Sequence, residues 1–316
     1  MRDYIIFIKM QKKIGYKILI LGGGRWGQIT FNNLSSLNSI SELSMISRTL
    51  NINNSIINNK SIIIKKNLNI KEVKKYDLIV ICKNNVSKFK FFKKIKHLKS
   101  LIIVEKPLII KRNLKKFLLT FEKGNFFISL PWFFEKKLKK IFYNLIFIKK
   151  IDRISFLWYD RISKKYGLKK NFDKDTYYVE NIFSHIFSLL YEKIYKNNNI
   201  NFSSFNIEKK IENLKFNFND IKISLKCSSK THQKFKNITF FKGGKRVSEI
   251  KISDKYFLIK DNVKKKKKKI INKSDNLIKQ YKYILNQKNI NDFKNTCYQQ
   301  IFYQSHLNKL CKKFQQ

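Results

Sequence analysis

The chain has no alanine, and its 316 residues include only two prolines and nine glycines. So little Pro and Gly excludes collagen-like and Pro-rich linker architectures. Acidic residues are also few, 21 against 69 Lys and Arg, which leaves a formal net charge of +48. The four cysteines (Cys82, Cys227, Cys297, Cys311) are scattered, with no CxxC pair. A chain of this length does not need disulfide staples, so they read as reduced thiols of a cytoplasmic protein. No clustered His, Cys or Asp set suggests a metal site. No apolar run approaches the roughly 18–20 residues of a membrane span. The apolar start Tyr4–Ile8 follows Asp3 and lacks a small-residue cleavage site, so no secretory signal is expected.

Apolar residues are plentiful at 43%, with 15% aromatic, which excludes wholesale disorder. The length suits two domains. Lys, Asn, Ile and Phe are over-used while Ala, Gly and Pro are scarce, the signature of A/T-rich codons. Arg, whose planar fork suits phosphates and guanine edges, is a small minority beside Lys. The charge therefore reads as compositional, and no specific nucleic-acid partner is expected. Non-specific binding to polyanions in low salt is expected.

Short apolar runs alternate with helical stretches over the first 125 residues. Tyr16–Leu21 reads as a strand, 26–37 as a helix, and 43–46, 62–64, 78–82 and 101–104 as further strands. A Phe/Lys-rich helix is expected at 86–98. The continuous run Leu78-Ile79-Val80-Ile81-Cys82 suits a strand buried on both faces. This alternation predicts βαβ units in a doubly wound parallel sheet. The domain boundary is expected at 125/126, with Phe126–Leu130 as one last strand of the first domain. Beyond it, segments at 154–159, 214–225, 238–241 and 247–252 alternate like antiparallel strands. Gly243-Gly244 signals a hairpin. A helix is expected at 177–195, and 274–314 reads as helical and able to pack back on the first domain. The second domain is thus α+β with a mostly antiparallel, open sheet. The six lysines Lys264–Lys269 read as a solvated loop.

Gly22-Gly23-Gly24-Arg25-Trp26-Gly27 fits G-x-G-x-x-G directly after the first strand and at the start of a helix. In that setting Gly22 permits the tight turn and Gly24 lets a pyrophosphate approach the backbone. Gly27 lets the helix pack closely, so a Rossmann dinucleotide site is expected. An NAD site places an acid at the end of the second strand to hold the ribose 2′-OH. Here the chain reads Ser47-Arg48-Thr49. A guanidinium between two hydroxyls suits a 2′-phosphate, with Arg48 either stacking on adenine or pairing with the phosphate. NADP(H) is therefore expected over NAD(H).

Val104-Glu105-Lys106-Pro107 follows a buried strand, and Asn181 and His185 share one face of a second-domain helix. With these motifs the chain resembles the Gfo/Idh/MocA family, the relatives of glucose–fructose oxidoreductase and inositol dehydrogenase. The resemblance covers the whole chain and is strongest over the first 130 residues. It implies an oxidoreductase with a small-molecule substrate, and homodimers or homotetramers through the open sheet. It assigns cofactor contacts to the Gly turn, to Asn84 and to Glu105-Lys106, and catalytic roles to Lys106, His185 and Asn181. Ile81-Cys82-Lys83-Asn84 stands where the family shows a Thr-Pro-Asn loop, and only Asn84 matches. Asn181 stands where the family has aspartate, and Phe183 where a glycine is common. Asn cannot act as a base, so His185 would work alone or with Lys106. His97, His232 and His306 have no matching partners. Two other readings stay open on the sequence: a Rossmann-like protein that binds a ligand without turnover, and a polyanion-binding protein.

Overall fold

Strands buried on both faces need helices above and below, which favours parallel pairing. The computed structural model describes residues 15–48, 53–57, 60–67, 70–83, 88, 91–92, 94–95, 97–108, 114–161, 164–165, 168–169, 177–191, 199–231, 234–253, 256–271, 275–286 and 290–313. Strands β1 (Tyr16–Leu21), β2 (Ile40–Ile46), β3 (Asn53–Ile57), β4 (Lys60–Lys65), β5 (Leu78–Ile81), β6 (Leu101–Val104) and β7 (Phe126–Ile128) form one sheet. Its order is β3-β4-β2-β1-β5-β6-β7, parallel throughout except for β3. β3 is an edge strand of mostly polar residues, so no apolar pattern announces it. β7 pairs with β6, so the first sheet runs past the expected boundary at 125. Helices α1 (Arg25–Ser35), α2 (Ile70–Val73) and α3 (Leu114–Lys123) belong to this domain. The expected helix at 86–98 lies largely outside the described residues.

From β1 the chain winds outward through β2 to β4, then returns to the other side of β1 at β5. The crevice beyond the carboxyl ends of β1 and β5 is where open α/β sheets take ligands.

The second domain begins with α4 (Lys136–Tyr143), a single π turn and β8 (Arg153–Arg161). A small ladder joins β9 (Lys164–Lys165) to β10 (Leu168–Lys169). After α5 (Tyr178–Leu190) come β11 (Ile200–Glu208), β12 (Ile211–Phe218), β13 (Ile221–Thr231), β14 (Phe235–Lys242), β15 (Lys245–Ile252), β16 (Tyr256–Asp261) and β17 (Lys266–Ile271). The sheet order is β11-β12-β13-β8-β14-β15-β16-β17, antiparallel except where β13 meets β8. The segment 214–225, expected as one unit, is divided between β12 and β13 by a turn at Asn219 (φ 51°). Asn tolerates that left-handed conformation.

The lysine run is a loop only in its first part: Lys264 and Lys265 lie in the turn before β17. Lys266–Lys269 lie in β17, exposed on the sheet's edge and paired with β16 from Lys266↔Asp261 to Lys269↔Leu258. A row of lysines on an edge strand repels further strand pairing.

One face of this sheet is covered. Ile154, Phe156 and Trp158 of β8, with Leu214, Phe216, Ile223 and Leu225, share a core with Ile182, Phe183 and Ile186 of α5. Their neighbours Lys222 and Lys226 point the other way and are exposed.

The C-terminal helices lock the two domains together. α6 (Asn276–Asn286) packs in the first core, where the Tyr281 hydroxyl donates to Thr30 Oγ1 at 3.3 Å. Gln280 Oε1 accepts from the Leu130 N–H at 2.7 Å. α7 (Ile290–Lys313) buries Phe293, Cys297 and Ile301 in the first core, and Tyr303, Leu307 and Cys311 in the second. Among the described residues, no helix is long and apolar enough to cross a membrane.

Carboxylates anchor the start of α5. Glu212 accepts from the Tyr178 and Val179 N–H groups at 3.1 and 2.7 Å, and Glu180 accepts from the Tyr177 N–H at 2.7 Å. These bonds satisfy donors that a helix N-terminus otherwise leaves unpaired. Glu180 is fully buried and also accepts from Asn308 Nδ2 at 2.9 Å. Burial raises its carboxyl from 4.5 to about 7, with nearby Glu212 adding to the effect. The folded state therefore holds the proton more tightly than the unfolded chain. This contribution to stability is fully present below pH 4.5 and is lost as pH rises through about 7. Buried Glu105 acts in the same direction. Glu180→Gln should flatten the stability decline between pH 5 and 7 by roughly 2 kcal/mol. Denaturant unfolding at pH 5, 6 and 7 checks this, and an unchanged slope refutes it.

Candidate active site

The turn after β1 is clamped between the ends of two strands. The Gly22 N–H donates to Ile46 O at 3.0 Å, and the Cys82 N–H donates to Leu21 O at 2.9 Å. The fold itself demands glycine at two places. Gly22 has φ +123°, and a Cβ on Gly27 would lie 1.7 Å from the Gly22 carbonyl oxygen. Gly24 is different. It is exposed, its φ of −68° and ψ of −177° suit any residue, and a Cβ there would meet nothing within 4 Å. It caps α1 without a side-chain bond. The structure thus keeps an open cradle before the first N–H groups of α1, where a helix end attracts an anion. Arg25 begins that helix, half-buried, and its Nε has no hydrogen-bond partner among the described residues. These residues fit a pyrophosphate.

Ser47 and Arg48 follow β2 on one side of the turn, Ser47 buried and Arg48 exposed. A Cβ on Gly23 would lie 2.0 Å from Ser47 Oγ, so the turn packs directly on this loop. Thr49 and Asn84 lie outside the described residues.

Lys106 leaves the carboxyl end of β6, and the Lys106–Pro107 peptide bond is cis. Its ammonium donates to Asn181 Oδ1 of α5 and sits 5.7 Å from the centre of the Trp26 ring. That bond joins the two domains. Every residue of α5 is buried except Asn181 and His185, one turn apart. The His185 ring lies nearly parallel to Trp158, centroids 5.4 Å apart at 5°, and 5.1 Å from Trp132. Trp132 and Trp158 also touch, at 5.0 Å. Two indoles therefore fix the plane of the imidazole.

Glu105 does not share this cleft surface. It is 5% exposed, hydrogen-bonded by Ser129, and burial holds its carboxyl above the usual range.

No protein-family model matches the sequence, and no curated protein matches it. Solved structures do match. A Gfo/Idh/MocA family oxidoreductase from Vibrio cholerae superposes with a TM-score of 0.65 at 9% identity, over 96% of this chain and 100% of its own. The chain has the Gfo/Idh/MocA fold. Biliverdin reductase from Synechocystis, solved with biliverdin and NADP+, matches at TM-score 0.65 and 10% identity, over 94% and 99% of the two chains. UDP-N-acetylglucosamine 3-dehydrogenase from Acidithiobacillus ferrooxidans matches at 0.64 and 9%, over 96% and 100%.

Within this fold, Lys106 brings together Trp26 of the Gly turn and Asn181 of α5, with His185 one turn along the same face, while Arg48 follows Ser47 on the loop packed against the turn. Sequence reasoning missed Trp132 and Trp158. A signal was present: the chain has only three tryptophans, and all three touch Lys106 or His185. Both prolines adjoin the same place, Pro107 after Lys106 and Pro131 before Trp132.

Proposed function

We propose that this chain is an NADP(H)-dependent oxidoreductase of the Gfo/Idh/MocA type. Its substrate is a small polar metabolite, sugar-like or a cyclic imine, reacting at a C=O/CH–OH or C=N carbon. One observation carries the reading: Lys106 at the end of β6 is hydrogen-bonded to Asn181, on the α5 face shared with His185. Sheet crevice and second domain thus present a cation, an amide and an imidazole together. The likeness to a reductase solved with NADP+ and to a nucleotide-sugar dehydrogenase supports it.

The nicotinamide supplies or accepts the hydride. Gly22, Gly24 and Gly27, with Arg25 and Trp26, hold the pyrophosphate side. Ser47 and Arg48 take the 2′-phosphate, with Thr49 next in sequence, and Asn84 is assigned to the nicotinamide end, whereas Glu105, turned into the core, makes no cofactor contact. The Lys106 ammonium hydrogen-bonds the substrate oxygen or nitrogen and stabilises negative charge developing there. His185 gives that atom its proton in reduction and takes it in oxidation. Asn181 cannot exchange a proton, so its role is to aim Lys106. The chain assembles as homodimers or homotetramers through the open face of the second sheet and works in the cytoplasm.

Cofactor titration tests the assignment without a known substrate. A charge-assisted bond to phosphate contributes roughly 1.5–3 kcal/mol. Arg48→Ala should therefore weaken NADPH binding roughly 10- to 150-fold and leave NADH nearly unchanged. Equal losses for both, or a wild type that prefers NADH, would refute it.

A further inference from the structure

We propose that Lys83 is a second cation of the 2′-phosphate site and acts with Arg48 to select NADP(H); this rests on the nucleotide reading above. β2 and β5 flank β1 on opposite sides, and the loops that follow them border the Gly turn from either edge. Arg48 stands just past β2 and Lys83 just past β5. The Lys83 stem runs along the turn, with its Cγ 3.3 Å from where a Cβ on Gly22 would lie. Its ammonium lies 4.8 Å from the centre of the Phe91 ring. Lys83 is half-buried and Arg48 exposed.

In a chain with 69 basic residues, cations meet by chance on the solvated surface. This pair is placed differently. Lys83 is drawn into the topological switch point, where water screens its charge less. Burial first, and then the Arg48 charge, hold its ammonium below the usual lysine range. No salt bridge to a carboxylate among the described residues relieves either cation. Two like charges that border one ligand crevice from either side are relieved by a dianion between them. The adenosine 2′-phosphate is the dianion that NADP(H) adds and NAD(H) lacks.

Adenosine 2′,5′-bisphosphate and ADP serve as probes beside NADPH and NADH, titrated by calorimetry against wild type, Arg48→Ala and Lys83→Met. Methionine keeps the length of the stem and removes the charge. Lys83→Met should weaken NADPH and the 2′,5′-bisphosphate roughly tenfold or more, with NADH and ADP unchanged. The double variant should bind both cofactors about equally. If Arg48→Ala loses the preference while Lys83→Met keeps it in full, the role of Lys83 is overturned and the nucleotide reading stands. A parallel loss for NADH and ADP also overturns it, since the stem then merely packs against adenosine. If wild type binds none of the four, the nucleotide reading itself has failed.

Discussion

His185→Ala is expected to lose roughly 10²- to 10⁴-fold in kcat, the usual contribution of a positioned acid–base group, while NADPH affinity stays nearly unchanged. The imidazole is held between Trp132 and Trp158 one turn from Asn181, so the variant removes a proton carrier without disturbing the Gly turn. Lys106→Met should fall similarly and also raise KM, since the ammonium holds the substrate as well as the developing charge. Asn181→Ala should be the mildest of the three, because the amide only aims Lys106. The measurement is NADPH oxidation with any carbonyl or imine compound that the wild type reduces. Wild-type rates in both the His185 and Lys106 variants would end the catalytic reading and leave a protein that binds a nucleotide without turnover.

Gly24→Val should abolish dinucleotide binding in a protein that remains folded. A side chain fits the backbone there, since φ is −68° and a Cβ meets nothing within 4 Å. The space it fills is the approach to the N–H groups at the start of α1. Losing two charge-assisted bonds to phosphate, at roughly 1.5–3 kcal/mol each, weakens binding by about 100-fold or more. Gly27→Ala is the contrasting control. Its Cβ would lie 1.7 Å from the Gly22 oxygen, so that variant should lose stability as well as binding. Thermal melts and NADPH titration separate the two cases. A Gly24→Val protein that titrates like wild type would remove the pyrophosphate assignment.

Much of the site was legible because its parts are local. A strand, a glycine turn and a helix in succession give Gly22–Gly27 a meaning within a dozen residues, and the i, i+4 spacing places Asn181 and His185 on one face. Glu105 was misleading for the same reason. Its neighbour Lys106 enters the crevice, but alternate residues at a strand end face opposite ways, and the Glu105 carboxylate turns into the core toward Ser129. The lysine run misled in another way. Charge pattern reports solvent exposure, and Lys266–Lys269 are exposed, but exposure does not say whether the backbone is paired.

By itself the sequence determined the two sheet types, since buried parallel strands and half-exposed antiparallel strands have different apolar patterns. It also determined where an anion would meet a helix end, because a glycine turn between strand and helix is a local construction. Only the tertiary structure decided which distant side chains share the crevice. Lys106 meets Asn181 across 75 positions of sequence, and His185 is framed by Trp132 and Trp158 from two other elements. Lys83 and Arg48 border the same turn only because β2 and β5 both flank β1. The helix α7, read simply as helical, ties the two cores together by burying Phe293 and Ile301 in the first and Tyr303 and Leu307 in the second, while α6 packs in the first. The physical reason is range. Hydrophobic period and turn chemistry act over a few residues, whereas the partners of a buried or charged side chain are set by how whole elements pack.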